Sequence, residues 1–264
     1  MTVNYREYGQ LKSKNATNNL VLVHPFPFDS RIWDQLASKL SDSNYLLAPD
    51  LRGCGETALG TEAPNLDLLA LDLIELIESI GLTKVILAGI SLGGYVAMAM
   101  ARLDPSLISG LILLDTKASS DSPQAKENRF RIARQMSEKS KTSLFVTQMA
   151  ENIVSTNTKL NKSEVYEQVI SWMTEAKPET IAWLQIAMAN RPASFLTLAQ
   201  IDVPTLLIRG SADSISTEMD FLEMKKYLKQ VASIEIENAG HLPIIEDPVA
   251  TANAIETWLT TFAK

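Results

Sequence analysis

One cysteine and two histidines are all the soft, titratable donors among 264 residues. The lone Cys54 excludes an internal disulfide framework. With only His24 and His241 beside it, the chain lacks the ligands from which zinc and iron sites are built. No acidic cluster has the spacing of a hard-cation loop, so neither a metal nor a cofactor is expected. Basic residues are the minority, 24 Lys and Arg against 31 Asp and Glu, for a net charge of −7. No basic run follows a phosphate backbone, which argues against a nucleic-acid partner. Long apolar runs are missing as well: nothing approaches the ~20 residues of a membrane span. The opening Met1–Glu7 has no apolar signal-peptide core, so a cytoplasmic protein without a membrane partner is expected. What remains, 46% hydrophobic and 21% charged, suits one sizeable globular core with room for an inserted lobe.

Short apolar runs mark strands at Asn19–His24, Tyr45–Ala48, Ile108–Asp115, Val203–Arg209 and Ser233–Glu237, with another opening at Val85 and Val3–Tyr8 as an edge candidate. Helical spacing falls between them. Ser30 is the expected N-cap of a helix to about Leu40, with Ile32, Trp33, Leu36 and Leu40 inward. Leu66–Ile80 is amphipathic and stops at Gly81. Further helices are expected after Ser91, around Met219–Lys229 and over Pro248–Phe262. From Lys117 to about Ala199 no strand is legible. That segment opens on the linker-like Ser119–Pro123 and reads as helices around Gln124–Ser137, Thr142–Ile153, Lys162–Ala176 and Pro178–Ala189. Alternating strands and helices on both sides of an all-helical block imply an α/β core, residues 1–116 and 200–264, with a mostly parallel sheet flanked by helices. Residues 117–199 are then a helical cap, or lid, over the carboxyl ends of the strands, where such sheets bind ligands.

The chemistry gathers at Gly89-Ile90-Ser91-Leu92-Gly93. A β-branched run precedes it and a small, apolar, helix-spaced run follows. In that strand–turn–helix context, G-x-S-x-G is a nucleophile elbow that lifts the serine hydroxyl above the sheet edge. Side chains at Gly89 and Gly93 would collide with the turn, and Gly94 lets the helix start lie close to a neighbouring strand. A serine nucleophile needs an imidazole base, and only two exist. His241 follows the last strand in Asn238-Ala239-Gly240-His241-Leu242-Pro243, at the same sheet edge as Ser91, whereas His24, followed by Pro25, suits a loop-shaping role. The acid that holds the imidazole is expected to be Asp213, just past the Val203–Arg209 strand, in preference to its rival Asp115. For the oxyanion, one N–H is that of Leu92. The other must come from the loop after His24, and since Pro25 has none, Phe26 is the candidate.

The pieces His24–Asp29, Pro49–Gly55, Gly89–Gly93, Val203–Asp213 and Gly240–Pro248 resemble the α/β-hydrolase superfamily along the whole chain. Within it they resemble the branch of small-ester esterases, cofactor-free haloperoxidases (perhydrolases) and 3-oxoadipate enol-lactonases. The resemblance implies Ser91 as nucleophile, Asp213 as acid, His241 as base, and Phe26 and Leu92 as oxyanion donors, acting on a small-molecule ester or lactone. Two positions depart from it: Pro25 where the family usually has glycine, and Cys54 where it often has His or Phe. Haloalkane dehalogenases place Asp where this chain has Ser91, which argues against that chemistry. Hydrolysis of a small carboxylic ester is the expectation. Enol-lactone hydrolysis, acyl transfer to peroxide or another acceptor, and a non-catalytic ligand receptor are its alternatives.

Other residues are expected to be structural. Asp29, Arg31, Asp50 and Arg52 read as helix-start or loop ion pairs, and Met149, Trp172, Met173, Trp183 and Met188 mostly as packing in the cap, with a few of them expected to face the substrate. The cap's basic residues (Lys126, Arg129, Arg131, Arg134, Lys139, Lys141, Lys159, Lys162) read mostly as solvated. Arg191 is the best candidate to face a substrate anion, although an ion pair or carbonyl contact at a helix C-terminus is the expected role.

Overall fold

The computed structural model describes residues 1–9, 18–136 and 139–262. Seven strands, β1 (Tyr5–Tyr8), β2 (Asn18–Val23), β3 (Asn44–Pro49), β4 (Val85–Ile90), β5 (Ile108–Leu114), β6 (Thr205–Gly210) and β7 (Val231–Ile236), form one sheet in the order β1-β3-β2-β4-β5-β6-β7. β1 runs antiparallel to β3 and every other pairing is parallel. β3 and β4 are buried throughout, which is why they read as unbroken apolar runs.

Side chains of successive strand residues go to opposite faces. Along β2, Val21 and Val23 join Leu69, Leu73 and Val96 of α2 (Leu66–Ser79) and α3 (Leu92–Leu103) on one face. Leu20 and Leu22 join Leu36, Leu40, Ile255 and Trp258 of α1 (Asp34–Leu40) and the final helix Pro248–Phe262 on the other. Helices cover both faces, as a parallel sheet requires. The start of α1 corrects one expectation. Asp29, not Ser30, is the cap: its carboxylate accepts the Arg31 N–H, and Ser30–Trp33 form a 3-10 turn before α1. The Ser30 N–H is taken by Asp50 Oδ1 at 2.8 Å. Ile32, Trp33, Leu36 and Leu40 are all buried, as expected.

Between β5 and β6 the described residues contain no strand. They form α4 (Pro123–Gln135), α5 (Lys139–Ile153), α6 (Thr156–Asn161), α7 (Ser163–Thr174), α8 (Pro178–Ala189) and α9 (Phe195–Gln200). The short α6 and α9 are absent from the sequence reading because a six-residue helix is too short to display a period. Ser137, the expected end of the first helix, lies outside the described residues. The two ends of the segment meet: the Ser194 N–H donates to the Ala118 carbonyl at 2.7 Å, and Arg191 Nη2 donates to the Ser119 carbonyl at 3.0 Å. The chain closes with α10 (Glu218–Tyr227), α11 (Pro243–Glu246) and α12 (Pro248–Phe262). No helix among the described residues is long and apolar enough to cross a membrane.

Candidate active site

β4 ends at Ile90 and α3 begins at Leu92, so the whole turn is Ser91, at φ 53° and ψ −113°. That left-handed φ costs a residue with a side chain on the order of 1–3 kcal/mol and persists only where its surroundings enforce it. They do so here. The Ser91 N–H donates to the Leu114 carbonyl at 3.0 Å, and Thr116 Oγ1 donates to the Ser91 carbonyl at 2.8 Å. A Cβ on Gly89 would lie 2.2 Å from the Gly93 carbonyl oxygen, and one on Gly93 would lie 2.0 Å from that of Val23. The glycines of the motif are therefore steric requirements. Gly93 also brings the start of α3 against the end of β2, where the Phe26 loop begins.

That contact brings the elements carrying the two expected oxyanion donors together. Leu92 is the first residue of α3, so its N–H is among those no intrahelical carbonyl can satisfy. The loop after β2 turns by a Phe28 N–H to Pro25 carbonyl bond of 3.0 Å, and the Phe26 N–H makes no hydrogen bond among the described residues. The Phe26 side chain is buried, its ring centroid 6.2 Å from that of Phe145 on α5.

His241 and Asp213 lie in the loops after β7 and β6, both buried, with His241 Nδ1 2.9 Å from Asp213 Oδ2. The carboxylate can only accept, so Nδ1 carries a proton, which leaves Nε2 as the ring nitrogen that faces away from Asp213. Asp213 is itself fixed by the N–H groups of Ile215 (2.8 Å) and Ser216 (3.2 Å). Burial pushes its pKa upward, but the charge and hydrogen bond of His241, with the Ile215 N–H and Asp115, outweigh this and hold it below the ordinary carboxylate range. Among the described residues no hydrogen bond joins the Ser91 hydroxyl to His241. The end of β5 spans between them: Leu114 grips Ser91, and the next residue, Asp115, places a carboxyl oxygen within 4.8 Å of donor atoms on Asp213 and His241.

Asp115 thus joins the acid that the sequence set against it. Its Oδ1 accepts the Gly210 N–H at 2.9 Å, while Oδ2 is buried without a donor. Burial first, then the Asp213 charge, push its pKa well above the usual range. The two carboxyls therefore share one site in which ionisation of Asp115 is the less favoured, and no hydrogen bond joins them among the described residues. No other His, Cys, Asp or Glu group among the described residues is compact enough to share an ion. This donor set does not suit one, because His241 Nδ1 and Asp213 Oδ2 are spent on each other and ionisation of the second carboxyl is disfavoured.

His24 takes the structural role expected of it. Its Nε2 accepts the Leu51 N–H at 3.0 Å and its Nδ1 donates to the Pro25 carbonyl at 3.0 Å. Burial lowers its pKa, against the opposing pull of the Pro25 carbonyl and the charges of Asp50 and Asp29. Asp29 pairs with Arg31, Asp50 accepts loop N–H groups, and Arg52 pairs with Asp72. Met173, Trp183 and Met188 are buried packing, and Met149 and Trp172 are partly buried. Among the basic residues of the helices between β5 and β6, Arg129 departs from the solvated expectation, binding Asp121 and Gln185, and Lys162 reaches the Glu246 carbonyl. The side chains of Lys139 and Lys141 lie outside the described residues. Arg191 is 3% exposed and fully engaged. Its Nη1 lies 2.9 Å from Asp121 and 2.8 Å from the Met188 carbonyl, and its guanidinium sits 4.0 Å above the Tyr95 ring.

A cavity of about 500 Å³ opens between the loop after β2 and the α7–α8 turn, framed by Asp29, Arg31, Asp50, Cys54, Trp172 and Thr180. It contains none of Ser91, Asp213 and His241. Cys54 is buried there, and burial, then the charge of Asp50, push its thiol far above the ordinary range, which disfavours the thiolate.

The chain matches the alpha/beta hydrolase family over residues 20–254. It is similar to 3-oxoadipate enol-lactonase 2 of Acinetobacter baylyi, with 22% identity over 99% of this chain and 94% of that one. Among solved structures it is similar to a thermophilic esterase from Thermogutta terrifontis with malate bound, at a TM-score of 0.93 and 34% identity over 99% of this chain and 94% of that one. The enol-lactonase from Burkholderia xenovorans shares the fold, with a TM-score of 0.88 and 20% identity over 98% and 96% of the two chains.

Proposed function

The chain belongs to the alpha/beta hydrolase family, and from that premise we propose that it is a serine hydrolase of small, uncharged carboxylic esters. The observation that carries this reading is the strained Ser91 turn at the sheet edge that also holds the buried His241–Asp213 pair. In this reading Ser91 Oγ attacks the ester carbonyl while His241 Nε2 takes its proton. Asp213 keeps the other ring nitrogen protonated and stabilises the imidazolium. The N–H groups of Leu92 and Phe26, with the N-terminus of α3 behind them, stabilise the oxyanion. His241 then returns the proton to the leaving alcohol, and water, activated by the same nitrogen, releases the acid and restores Ser91.

Residues 117–199 act as the cap, and Phe145 beside Phe26 gives the acyl side an apolar wall. The engagement of Arg191 and Arg129 favours uncharged substrates over an enol-lactone carrying a free carboxylate, since burying that charge without a partner costs several kcal/mol. The similarity to an enol-lactonase keeps the lactone as the second reading.

A fluorophosphonate probe tests the nucleophile. The expected result is one adduct, mapped to Ser91 by peptide mass spectrometry, with loss of turnover of an activated ester. Ser91→Ala should abolish both. An adduct on another residue, or full activity in Ser91→Ala, refutes the reading.

A further inference from the structure

Four donors converge on one buried carboxylate, that of Glu246 at the end of α11, which is 2% exposed. Its Oε1 accepts the backbone N–H of Gly240 at 2.9 Å and of Leu242 at 3.1 Å, the two residues that flank His241. Its Oε2 accepts the Ser155 N–H at 2.8 Å, from the turn between α5 and α6, and the Thr158 hydroxyl at 2.7 Å, from the first turn of α6. The N–H of His241 itself crosses to the Ile153 carbonyl at 3.1 Å. Gly240 leaves no room for drift, because a Cβ there would lie 2.5 Å from the Ser155 nitrogen and 2.8 Å from the Val154 carbonyl carbon. Three consecutive amides around the imidazole are therefore held. Glu246 holds two, and the inserted segment that Glu246 also grips holds the third.

A carboxylate is costly to bury unless its acceptor sites are filled, and here two bonds hold the amides that flank His241 and two hold Ser155 and Thr158. Asp213 fixes the rotation of the ring. It does not fix where the ring's backbone stands. We infer that Glu246 is the positioning residue of the His241 base, clamping the His241 loop to residues 153–158 so that docking of the inserted segment sets where Nε2 stands. This rests on the reading of His241 as the base.

Glu246→Gln leaves one acceptor oxygen for four donors, and Glu246→Asp keeps both oxygens on a shorter stem. For Glu246→Gln, kcat on an activated aryl ester should fall by about 10- to 100-fold, with KM nearly unchanged, as a displaced catalytic group produces. Glu246→Asp should recover part of the loss. The chain has only two histidines, so protein labelled with nitrogen-15 histidine gives one set of ring signals for each. The His241 set should shift or broaden in Glu246→Gln while the His24 set stays in place. Should Glu246→Gln fail to fold, Thr158→Val removes one donor on the inserted side alone, and it should move the His241 signals with a smaller kcat loss.

The inference is overturned if a folded variant keeps wild-type kcat and His241 signals. It is equally overturned if both histidine sets move together with a fall in Tm, the signature of general loosening. His241→Ala separates the two levels. If it is inactive while Glu246→Gln behaves as wild type, only the clamp is wrong. If it retains activity, the base assignment fails and the clamp with it.

Discussion

At the residue scale the surroundings of the two buried acids push them in opposite directions, Asp115 away from ionisation and Asp213 toward it, and that difference predicts their mutants. Asp213 accepts from His241 Nδ1, so Asp213→Asn presents an amide that can favour the wrong tautomer and should cost up to about 10⁴-fold in kcat. Burial and the Asp213 charge disfavour ionisation of Asp115, so Asp115→Asn removes a charge that the site does not favour. It should cost about tenfold or less in kcat, a loss of about one hydrogen bond. Steady-state kinetics on an ester decides, and a larger loss for Asp115→Asn reverses the assignment. The sequence supplied both acids as rivals for one place. Their pairing was not legible, because it depends on the β5–β6 register that sets the end of β5 against Gly210. His24 makes a second residue-scale prediction. Its pKa in the fold lies below 6.5, so the unfolded chain takes up the proton first on acidification. Its contribution to stability is complete above about pH 6.5 and is lost as pH falls toward the folded value. Thermal unfolding from about pH 7.5 to about pH 5.5 should show a falling Tm, with a shallower slope in His24→Asn.

At the element scale, what the sequence discloses depends on length and on partners. Long periodic helices and buried strands were legible, and Pro178–Ala189 agrees to the residue. The short α6 and α9 were not. Ser30 and Asp29 are equally good caps by type, and Asp50, which occupies the Ser30 N–H from 20 residues away, decides between them. The β3–α2 connection holds a stronger partnership. Arg52 is 2% exposed and donates two bonds of 2.9 Å to the buried Asp72 on α2. Arg52→Met leaves that carboxylate without its cation and should lower the unfolding free energy by about 3–5 kcal/mol, measured by urea denaturation. Arg52→Met with Asp72→Leu should recover much of it.

At the scale of the whole molecule, Arg191 ties the returning end of the inserted segment to its opening turn and to Tyr95 on α3. Removing it should therefore act on stability rather than specificity. In Arg191→Ala, Tm should fall while the ratio of kcat/KM for an uncharged short-chain ester to that for an anionic enol-lactone stays as in wild type. A wild-type preference for the anion that vanishes in Arg191→Ala selects the lactonase reading instead. The Phe26–Phe145 contact was illegible in the sequence, because it joins residues far apart in the chain.

The pinch at Ala118 and Ser194 also bears on how such a chain diversifies. Everything between those residues leaves and re-enters the core through one doorway, beside the paired strands β5 and β6. The entropy of closing a loop grows only logarithmically, about 0.6 kcal/mol for each doubling of length. Recombination can therefore exchange the traffic through that doorway, long for short, with little penalty to the sheet. A graft that ends at the doorway inherits a fold. To inherit a working imidazole, it must also bring its own counterpart of Ile153–Thr158.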